Sequence, residues 1–177
     1  MNLTDTDWTL LQLTENTEIY SFESEDKELN DFLLNDAKNY FSSLLTVTYL
    51  IMTKDEIIAY FSLSNDKVMK DDEEKSTWNK LNRTIANEKR RKSYPAVKIG
   101  RLAVAKKYTG SGFGKLIIDI VRKMYTGAQQ QAGCRFITVD AYRNALPFYK
   151  KNKFNYLTDK DKSDETRIMY FDLKSLG

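Results

Sequence analysis

Histidine is absent from this sequence of 177 residues, and cysteine occurs only once, at Cys134. Without histidine, the chain cannot build a histidine-based catalytic triad or a histidine metal site. One cysteine supplies neither a disulfide framework nor the ligand set of a structural zinc ion, so no metal is expected. The chemistry of this protein must therefore use tyrosine, carboxylates, backbone amides and water.

Long apolar runs are also missing, and no stretch approaches the length of a membrane-spanning helix. Residues 1–7 lack the basic and apolar regions of a secretory signal peptide. The net charge is only +3, from 28 basic and 25 acidic residues, which is too small to indicate nucleic-acid binding from composition alone. We therefore expect a cytoplasmic protein without a membrane partner, folded as one domain over residues 1–177.

The apolar residues follow strand and helix periods in turn along the chain. A helix capped by Ser24, with Glu25 and Asp26 in its first turn, should bury one face that includes Tyr40 and Phe41. Strands are predicted over 8–13, 44–53, 57–64, 98–105, 134–142, 154–157 and 166–173. This order predicts an α/β fold built on a mixed sheet.

Residues 66–95 interrupt this plan as a predicted helical insertion. Acidic residues open the stretch 71–92 and basic residues close it, which is the order that a helix dipole favours. Trp78, Leu81 and Ile85 share one face. We predict a solvent-facing helix of about six turns, either a surface flap or a surface for a partner or substrate.

Three glycines follow the predicted strand 98–105, and an apolar helix begins near Gly112. Glycines permit positive φ and a close approach to a ligand, and N–H groups at a helix start attract anions such as phosphate. A Walker A loop is excluded because Gly110 and Gly114 are separated by three residues and Leu116 follows Lys115; the G-x-G-x-G spacing excludes a Rossmann loop. The remaining alternative is a turn that only joins strand to helix.

The segment Thr109-Gly-Ser-Gly-Phe-Gly114 resembles the acyl-CoA loop R/Q-x-x-G-x-G/A of GNAT acetyltransferases, with threonine where glutamine or arginine is usual. Gly100-Arg-Leu-Ala-Val104 resembles the strand that pairs with pantetheine in that family. The resemblance implies the GNAT acyl-CoA N-acyltransferase fold, acetyl-CoA as cosubstrate, and phosphate contacts from Lys106, Lys107 or Lys115. The implied cofactor-binding residues are Leu102, Ala103, Val104, Thr109, Gly110, Ser111, Gly112, Phe113, Gly114, Lys115 and Asn144.

Residues 144–154 resemble the GNAT ending N-x-x-A-x-x-F-Y-x-x-x-G-F, in which the tyrosine is commonly the general acid. The resemblance assigns that role to Tyr149, for which a plain core tyrosine is the alternative. Lys153 replaces the family's glycine, and Asn144 lies closer to the tyrosine than usual. Asp140 is the best-placed carboxylate for a general base, and an N-cap role for the next helix is the alternative.

Residues 22–33 resemble the opening F-x-S/C-G-x-x-x-L-D-x-F-L of a GNAT toxin branch, with Glu25 and Asn30 as departures. Members of that branch acetylate the α-amine of aminoacyl-tRNA and are silenced by a small DNA-binding antitoxin. An α-amine also suits an enzyme without histidine, because its reference pKa of ~7.7–8.0 lies below the ~10.4 of lysine. Basic residues that could meet tRNA phosphates are Lys89, Arg90, Arg91, Lys92, Arg101, Lys150, Lys151 and Lys153.

Two other functions remain open on the sequence alone. One is a protein, peptide or small-amine (polyamine-like) N-acetyltransferase, and the other is a non-catalytic acyl-CoA-binding module whose helix over 71–92 contacts a partner. A homodimer is compatible with each of them. The motif over residues 22–33 is also consistent with a capped amphipathic helix that has no functional role.

Overall fold

The computed structural model describes residues 7–70, 75–83, 85–86, 91–127 and 132–176. Seven strands form one mixed sheet in the order β1-β2-β3-β4-β5-β7-β6, which confirms the predicted class. The strands are β1 (Thr9–Gln12), β2 (Val47–Met52), β3 (Ile57–Met69), β4 (Ser93–Val104), β5 (Phe136–Tyr142), β6 (Asn155–Tyr156) and β7 (Thr166–Asp172). The α-helices are α1 (Lys27–Asp31), α2 (Ala37–Ser42), α3 (Lys75–Asn82), α4 (Phe113–Thr126) and α5 (Leu146–Lys151). In the described ranges, no helix has the length and apolar character needed to cross a membrane.

The chain divides into two compact units. The first comprises Met1–Ser64 and Ile99–Val121. Its antiparallel strands β1, β2 and β3 pair in the registers Thr9↔Met52 and Val47↔Leu63. Aromatic side chains pack against them, with the Phe22 ring edge-on to Tyr60 at 5.4 Å between centroids.

The first helix departs from the sequence prediction in its cap and in its exposed face. Asp26, and not Ser24, is the N-cap, because its carboxylate accepts the N–H groups of Glu28 and Leu29. A π-helical segment, Phe32–Asp36, then separates α1 from α2. Such a segment rotates the residues after it relative to a regular helix, so Tyr40 is exposed although its spacing predicts burial.

The second unit comprises Asn65–Lys98 and Arg122–Gly177. β4 and β5 pair in parallel (Ala96↔Phe136), β5 and β7 are antiparallel, and the short β6 lies at the edge beside β7. Its core cluster consists of Val68, Trp78, Leu81, Tyr94, Ala96, Phe136 and Tyr170. The Trp78 ring stacks on Tyr94 at 5.3 Å, so the apolar stripe of the predicted insertion is confirmed as a buried contact.

The predicted six-turn helix over 71–92 is wrong. α3 has eight residues and ends at Asn82, whose side chain accepts a hydrogen bond of 2.7 Å from the Tyr94 hydroxyl. Strands β3 and β4 also extend into the predicted insertion, up to Met69 and from Ser93. Pairing between β3 and β4 competes with helix formation at both ends of this stretch. Just beyond the two strands, the Lys70 N–H donates a hydrogen bond to the Lys92 carbonyl at 2.8 Å. The acidic residues 71–74 and the basic residues Lys89 and Arg90 lie outside the described residues.

Candidate active site

The glycine loop, residues 109–114, joins β4 to α4 in the first unit. After β4, the Ala105 N–H donates to the Ile58 carbonyl at 2.8 Å, and a single 3-10 turn, Lys106–Tyr108, leads into the loop. Gly110 has φ +79° and Gly112 has φ +97°, so the predicted positive φ is confirmed at two of the three glycines. A Cβ at Gly110 would meet no atom within 4 Å, which leaves the backbone conformation as the reason for glycine there.

The start of α4 presents a row of N–H groups. The first helical bond runs from Leu116 N–H to the Gly112 carbonyl at 3.0 Å. The N–H groups of residues 112–115 donate to no acceptor in the part of the chain that the structure describes. Phe113 is fully buried, edge-on to Tyr108 at 5.7 Å, and thereby fixes the loop against the core. The loop therefore combines positive φ, unused donors and a helix dipole, which is the composition of an anion site.

Each lysine predicted to contact phosphate forms an ion pair in the structure. Lys106 pairs with Glu23 at 2.5 Å, Lys107 with Glu56 at 2.7 Å, and Lys115 with Asp119 at 2.5 Å. The hydrogen bonds from Lys107 and from the Tyr108 hydroxyl lower the pKa of Glu56, and the hydrogen bond from Lys106 lowers the pKa of Glu23. Exposed pairs of this kind are weak because water screens the charges, so an anion can compete for the lysines.

The β4 residues of the implied pantetheine strand also lie in the first unit. Ala103 is buried, while Leu102 and Val104 are half-buried. Arg101 lies with its guanidinium 5.1 Å from the Phe32 ring centroid and 3.4 Å from the Glu28 carboxylate. A residue of α1 and a residue of the π-helical segment after it therefore hold Arg101 in place. The sequence motifs, considered separately, did not predict this contact.

Tyr149 lies in α5 of the second unit. Its ring is buried edge-on between Phe148 at 5.0 Å and Phe154 at 5.3 Å. Among the described residues, the Tyr149 hydroxyl has no hydrogen-bond partner. Burial raises the pKa of Tyr149 above its usual 10.0, so the phenol remains protonated at neutral pH. Both roles considered for it, general acid and core tyrosine, are compatible with this packing.

Lys153 adopts the conformation that glycine normally supplies. Its φ is +64°, and it follows the last turn of α5. Lys153 N–H donates to the Lys150 carbonyl at 2.9 Å, and Phe154 N–H donates to the Tyr149 carbonyl at 3.0 Å. These two bonds form a Schellman motif. The turn therefore has the left-handed C-terminal geometry that usually carries glycine, with lysine at that position.

Two further candidate site residues, Asp140 and Asn144, lie in the second unit. Asp140 lies within β5 and pairs with Lys98 at 2.5 Å. The N-cap role considered for Asp140 is wrong, because Tyr142 precedes the next 3-10 turn, Arg143–Ala145, without a side-chain cap. Asn144 lies in that turn and is exposed.

The sequence reasoning missed the acidic partners of the loop. Glu56 lies in the hairpin link before β3, yet its carboxylate accepts hydrogen bonds from both Lys107 and Tyr108. No local pattern could have revealed this contact, which joins residues more than 50 positions apart. In the described ranges, no group of three acidic, cysteine or histidine residues could hold a metal ion.

A family profile for the acetyltransferase (GNAT) domain matches residues 80–173, more than half of the chain. This chain belongs to the GNAT acetyltransferase family. Membership confirms the predicted enzyme class, an acetyltransferase, and the profile covers β4, the glycine loop, α4, β5 and α5.

Solved structures of similar fold include two of the toxin AtaT and one of KacT. The AtaT toxin complexed with acetyl-methionyl-tRNAfMet is 20% identical, with a TM-score of 0.77 over 96% of this chain and 97% of that chain. A tyrosine-to-phenylalanine mutant of AtaT, bound to the C-terminus of the antitoxin AtaR and to acetyl-CoA, is 20% identical, with a TM-score of 0.75 over 97% and 96%. A tyrosine-to-phenylalanine mutant of KacT is 22% identical, with a TM-score of 0.77 over 97% and 98%. No curated protein matches the sequence at a significant level.

Proposed function

We propose that this GNAT enzyme transfers the acetyl group of acetyl-CoA to the α-amine of an aminoacyl-tRNA, as part of a toxin–antitoxin system. The observation that carries the proposal is the glycine loop, with its positive φ at Gly110 and Gly112 and its N–H groups at the start of α4. The fold similarity to AtaT, whose structures contain acetyl-CoA and acetyl-methionyl-tRNAfMet, supports the choice of donor and acceptor.

The cosubstrate would be held mainly by backbone atoms. N–H groups of residues 112–115 would bind the pyrophosphate, and the strand residues Leu102, Ala103 and Val104 would pair with pantetheine. Lys106, Lys107 and Lys115 would exchange their exposed carboxylate partners for phosphate charge. The side chain of Asn144 is exposed and remains a proposed contact.

Tyr149 is the proposed general acid. The neutral α-amine attacks the thioester carbonyl, the new C–N bond forms, and the C–S bond breaks. The thiolate of CoA then takes the phenolic proton, the amine releases a proton to water, and the phenolate regains a proton from water. A buried phenol whose pKa is raised holds its proton at neutral pH, and the same shift makes it a weaker acid, so transfer depends on the strongly basic thiolate that forms as the C–S bond breaks.

A tRNA acceptor requires cations on the surface. Arg91, Lys92, Lys150, Lys151 and Lys153 are exposed, whereas Lys89 and Arg90 lie outside the described residues. Arg101 is held by Phe32 and Glu28 and is half-buried. An aminoacyl-tRNA substrate would place the enzyme in the cytoplasm, and a small DNA-binding antitoxin would be its partner.

The test is transfer of labelled acetyl from acetyl-CoA to bulk aminoacylated tRNA, with peptides and polyamines assayed in parallel. We expect label on the aminoacyl end, and a rate that falls steeply as salt rises, because tRNA contacts release counterions. Label only on peptides or polyamines would move the enzyme to the alternative acceptor class.

The role of Tyr149 is tested by Tyr149→Phe, with Tyr170→Phe as the matched control because Tyr170 is another buried tyrosine of the same unit. Loss of a general acid typically costs about 10²–10⁴-fold in rate, so Tyr149→Phe should lower kcat by at least about 10²-fold. The control should retain most of the activity. Equal rates for both variants would contradict the general-acid role.

A further inference from the structure

Glu56 lies outside the segments that the proposed reaction uses, yet its side chain reaches the turn that precedes the glycine loop. The Glu56 Oε1 atom accepts a hydrogen bond of 2.6 Å from the Tyr108 hydroxyl and one of 2.7 Å from the Lys107 Nζ. Both donors belong to the 3-10 turn Lys106–Tyr108, which directly precedes residues 109–114. One carboxylate oxygen therefore connects the hairpin link between β2 and β3 to the start of the loop.

Tyr108 transmits this contact to the glycine loop. Its ring is buried and lies edge-on to the Phe113 ring, with 5.7 Å between the centroids. Its carbonyl accepts the Ser111 N–H at 3.2 Å and the Ser111 hydroxyl as well. Ser111 and Phe113 flank Gly112, whose φ is +97°. The position of Tyr108 therefore sets the position of the backbone on both sides of a glycine with positive φ.

The hairpin link holds Glu56 at a fixed place. The Thr53 N–H donates to the Glu56 carbonyl at 2.9 Å, and the Glu56 N–H donates to the Thr53 hydroxyl at 3.2 Å. In β3, which follows directly, the Ile58 carbonyl accepts the Ala105 N–H just before the 3-10 turn. Backbone bonds therefore bring the hairpin and the turn together, and the Glu56 side chain adds the contact that orients the phenol.

We propose that Glu56 is a positioning residue for acetyl-CoA, which acts through the Tyr108 hydroxyl to hold the glycine loop in its binding conformation. The inference rests on the proposed function, in which the N–H groups of residues 112–115 bind the pyrophosphate. An ordered loop loses less entropy when a ligand binds, and the apparent affinity falls with the fraction of molecules whose site is correctly formed. Loss of the hydrogen bond between Glu56 and Tyr108 should therefore weaken acetyl-CoA binding and leave the chemical step at the thioester nearly unchanged.

The ion pair between Glu56 and Lys107 acts on cofactor binding in the opposite direction. Lys107 is one of the lysines proposed to meet phosphate, and the Glu56 carboxylate competes with that phosphate for its charge. Removing the charge of Glu56 therefore frees Lys107 and favours phosphate binding. A test of positioning must keep this change of charge constant while it varies the hydrogen bond to Tyr108.

The test compares Glu56→Gln with Glu56→Met in the full chain. Both substitutions remove the same charge and introduce side chains of similar length, so they release Lys107 equally. Only the glutamine amide oxygen accepts a strong hydrogen bond from the Tyr108 hydroxyl, since methionine sulfur is a weak acceptor. We expect the Kd for CoA, measured by isothermal titration calorimetry, to be roughly three- to tenfold higher in Glu56→Met than in Glu56→Gln. In the acetyl-transfer assay, the KM for acetyl-CoA should differ in the same way, and kcat should be equal.

The same comparison in a Tyr108→Phe background decides whether Glu56 acts through Tyr108. Phenylalanine keeps the ring that packs against Phe113 and removes only the hydroxyl, so the difference in Kd between the two Glu56 variants should disappear there. Glu15→Gln is the charge control, because Glu15 is an exposed glutamate of the same unit, and it should leave the Kd unchanged. Thermal unfolding verifies that every variant folds.

Equal Kd values for Glu56→Gln and Glu56→Met would overturn the proposal, and so would a difference that persists in the Tyr108→Phe background. Gly110→Ala is measured in parallel and separates this failure from failure of the proposed function. If Gly110→Ala weakens CoA binding while the two Glu56 variants bind alike, the loop is the cofactor site and only the role of Glu56 is refuted. If none of these variants changes the Kd, the role of Glu56 and the loop as the cofactor site are both refuted.

Discussion

Replacing Lys153 by glycine should stabilise this protein. The φ of Lys153 is +64°, in the left-handed region, where an L-residue costs roughly 1–2 kcal/mol more than glycine. The lysine side chain is exposed and has no partner among the described residues, so its removal sacrifices no contact. Glycine loses more backbone entropy on folding, which offsets about 0.5–1 kcal/mol of the gain.

The net expectation for Lys153→Gly is therefore a gain of about 0.5–1 kcal/mol in the free energy of unfolding. For a chain of this length, about 1 kcal/mol moves the Tm by about 2–4 °C. Equilibrium urea unfolding measures the free energy, and a thermal scan measures the Tm. Both Schellman hydrogen bonds, to the carbonyls of Lys150 and Tyr149, should persist because they use only backbone atoms.

Two control substitutions separate backbone strain from side-chain effects. Lys151→Gly changes an exposed lysine at the last residue of α5 and should lower the free energy of unfolding by up to about 0.5–1 kcal/mol, since glycine is a poor helix former. Lys153→Ala keeps the Cβ and should change stability little. The reasoning is refuted if Lys153→Gly destabilises the protein as Lys151→Gly does, or if Lys153→Ala gives the same gain.

Three further predictions concern the loop, a buried ion pair and the lone thiol. Gly110→Ala forces alanine to φ +79°. It should raise the KM for acetyl-CoA about tenfold, which corresponds to a loss of about 1.4 kcal/mol in the free energy of binding, with little change in kcat. Asp161→Asn removes the closer carboxylate partner of the buried Arg167 and leaves Asp159 at 3.8 Å, so urea unfolding should show a loss towards the lower end of about 3–5 kcal/mol. Burial raises the pKa of Cys134 from 9.0 to about 11, so alkylation by iodoacetamide should be slow at pH 8 and accelerate towards pH 11. The same shift means that the thiol's contribution to stability is present below pH 9 and is lost as the pH rises through about 11.

Each of these has an outcome that would contradict it. Gly133→Ala is the control for the loop, because it has no positive φ and open space around it, and an equal rise in KM there would argue against backbone strain. Lys162→Gln removes an exposed pair with Asp159 and should cost less than about 1 kcal/mol. If Asp161→Asn lowers the free energy of unfolding no more than Lys162→Gln does, the buried ion pair contributes no more to stability than an exposed one. Rapid alkylation of Cys134 at pH 8 would show that the thiol is not shielded.

Local patterns in the sequence determined most of the site motifs. The spacing of Gly110, Gly112 and Gly114 predicted a loop with positive φ, because only glycine adopts that conformation without strain, and two of the three glycines have it. The family resemblance on either side of this loop predicted the enzyme class that the profile over residues 80–173 confirms. Strand and helix periods predicted the mixed sheet and its chain order, since these periods depend on near neighbours.

The tertiary structure decided what depends on residues distant in sequence. The charge order of residues 71–92 favoured one long helix, but pairing between the ends of β3 and β4 and the Asn82–Tyr94 hydrogen bond leave only eight helical residues in α3. The carboxylate partners of Lys106 and Lys107 come from far upstream, so no local spacing indicated them. Lys153 shows the same division: its motif position predicted a tight turn, but only the packed end of α5 forces a lysine into a glycine conformation. Short-range preferences are encoded by neighbouring residues, whereas sheet pairing, ion-pair partners and backbone strain are set by the packing of the whole chain.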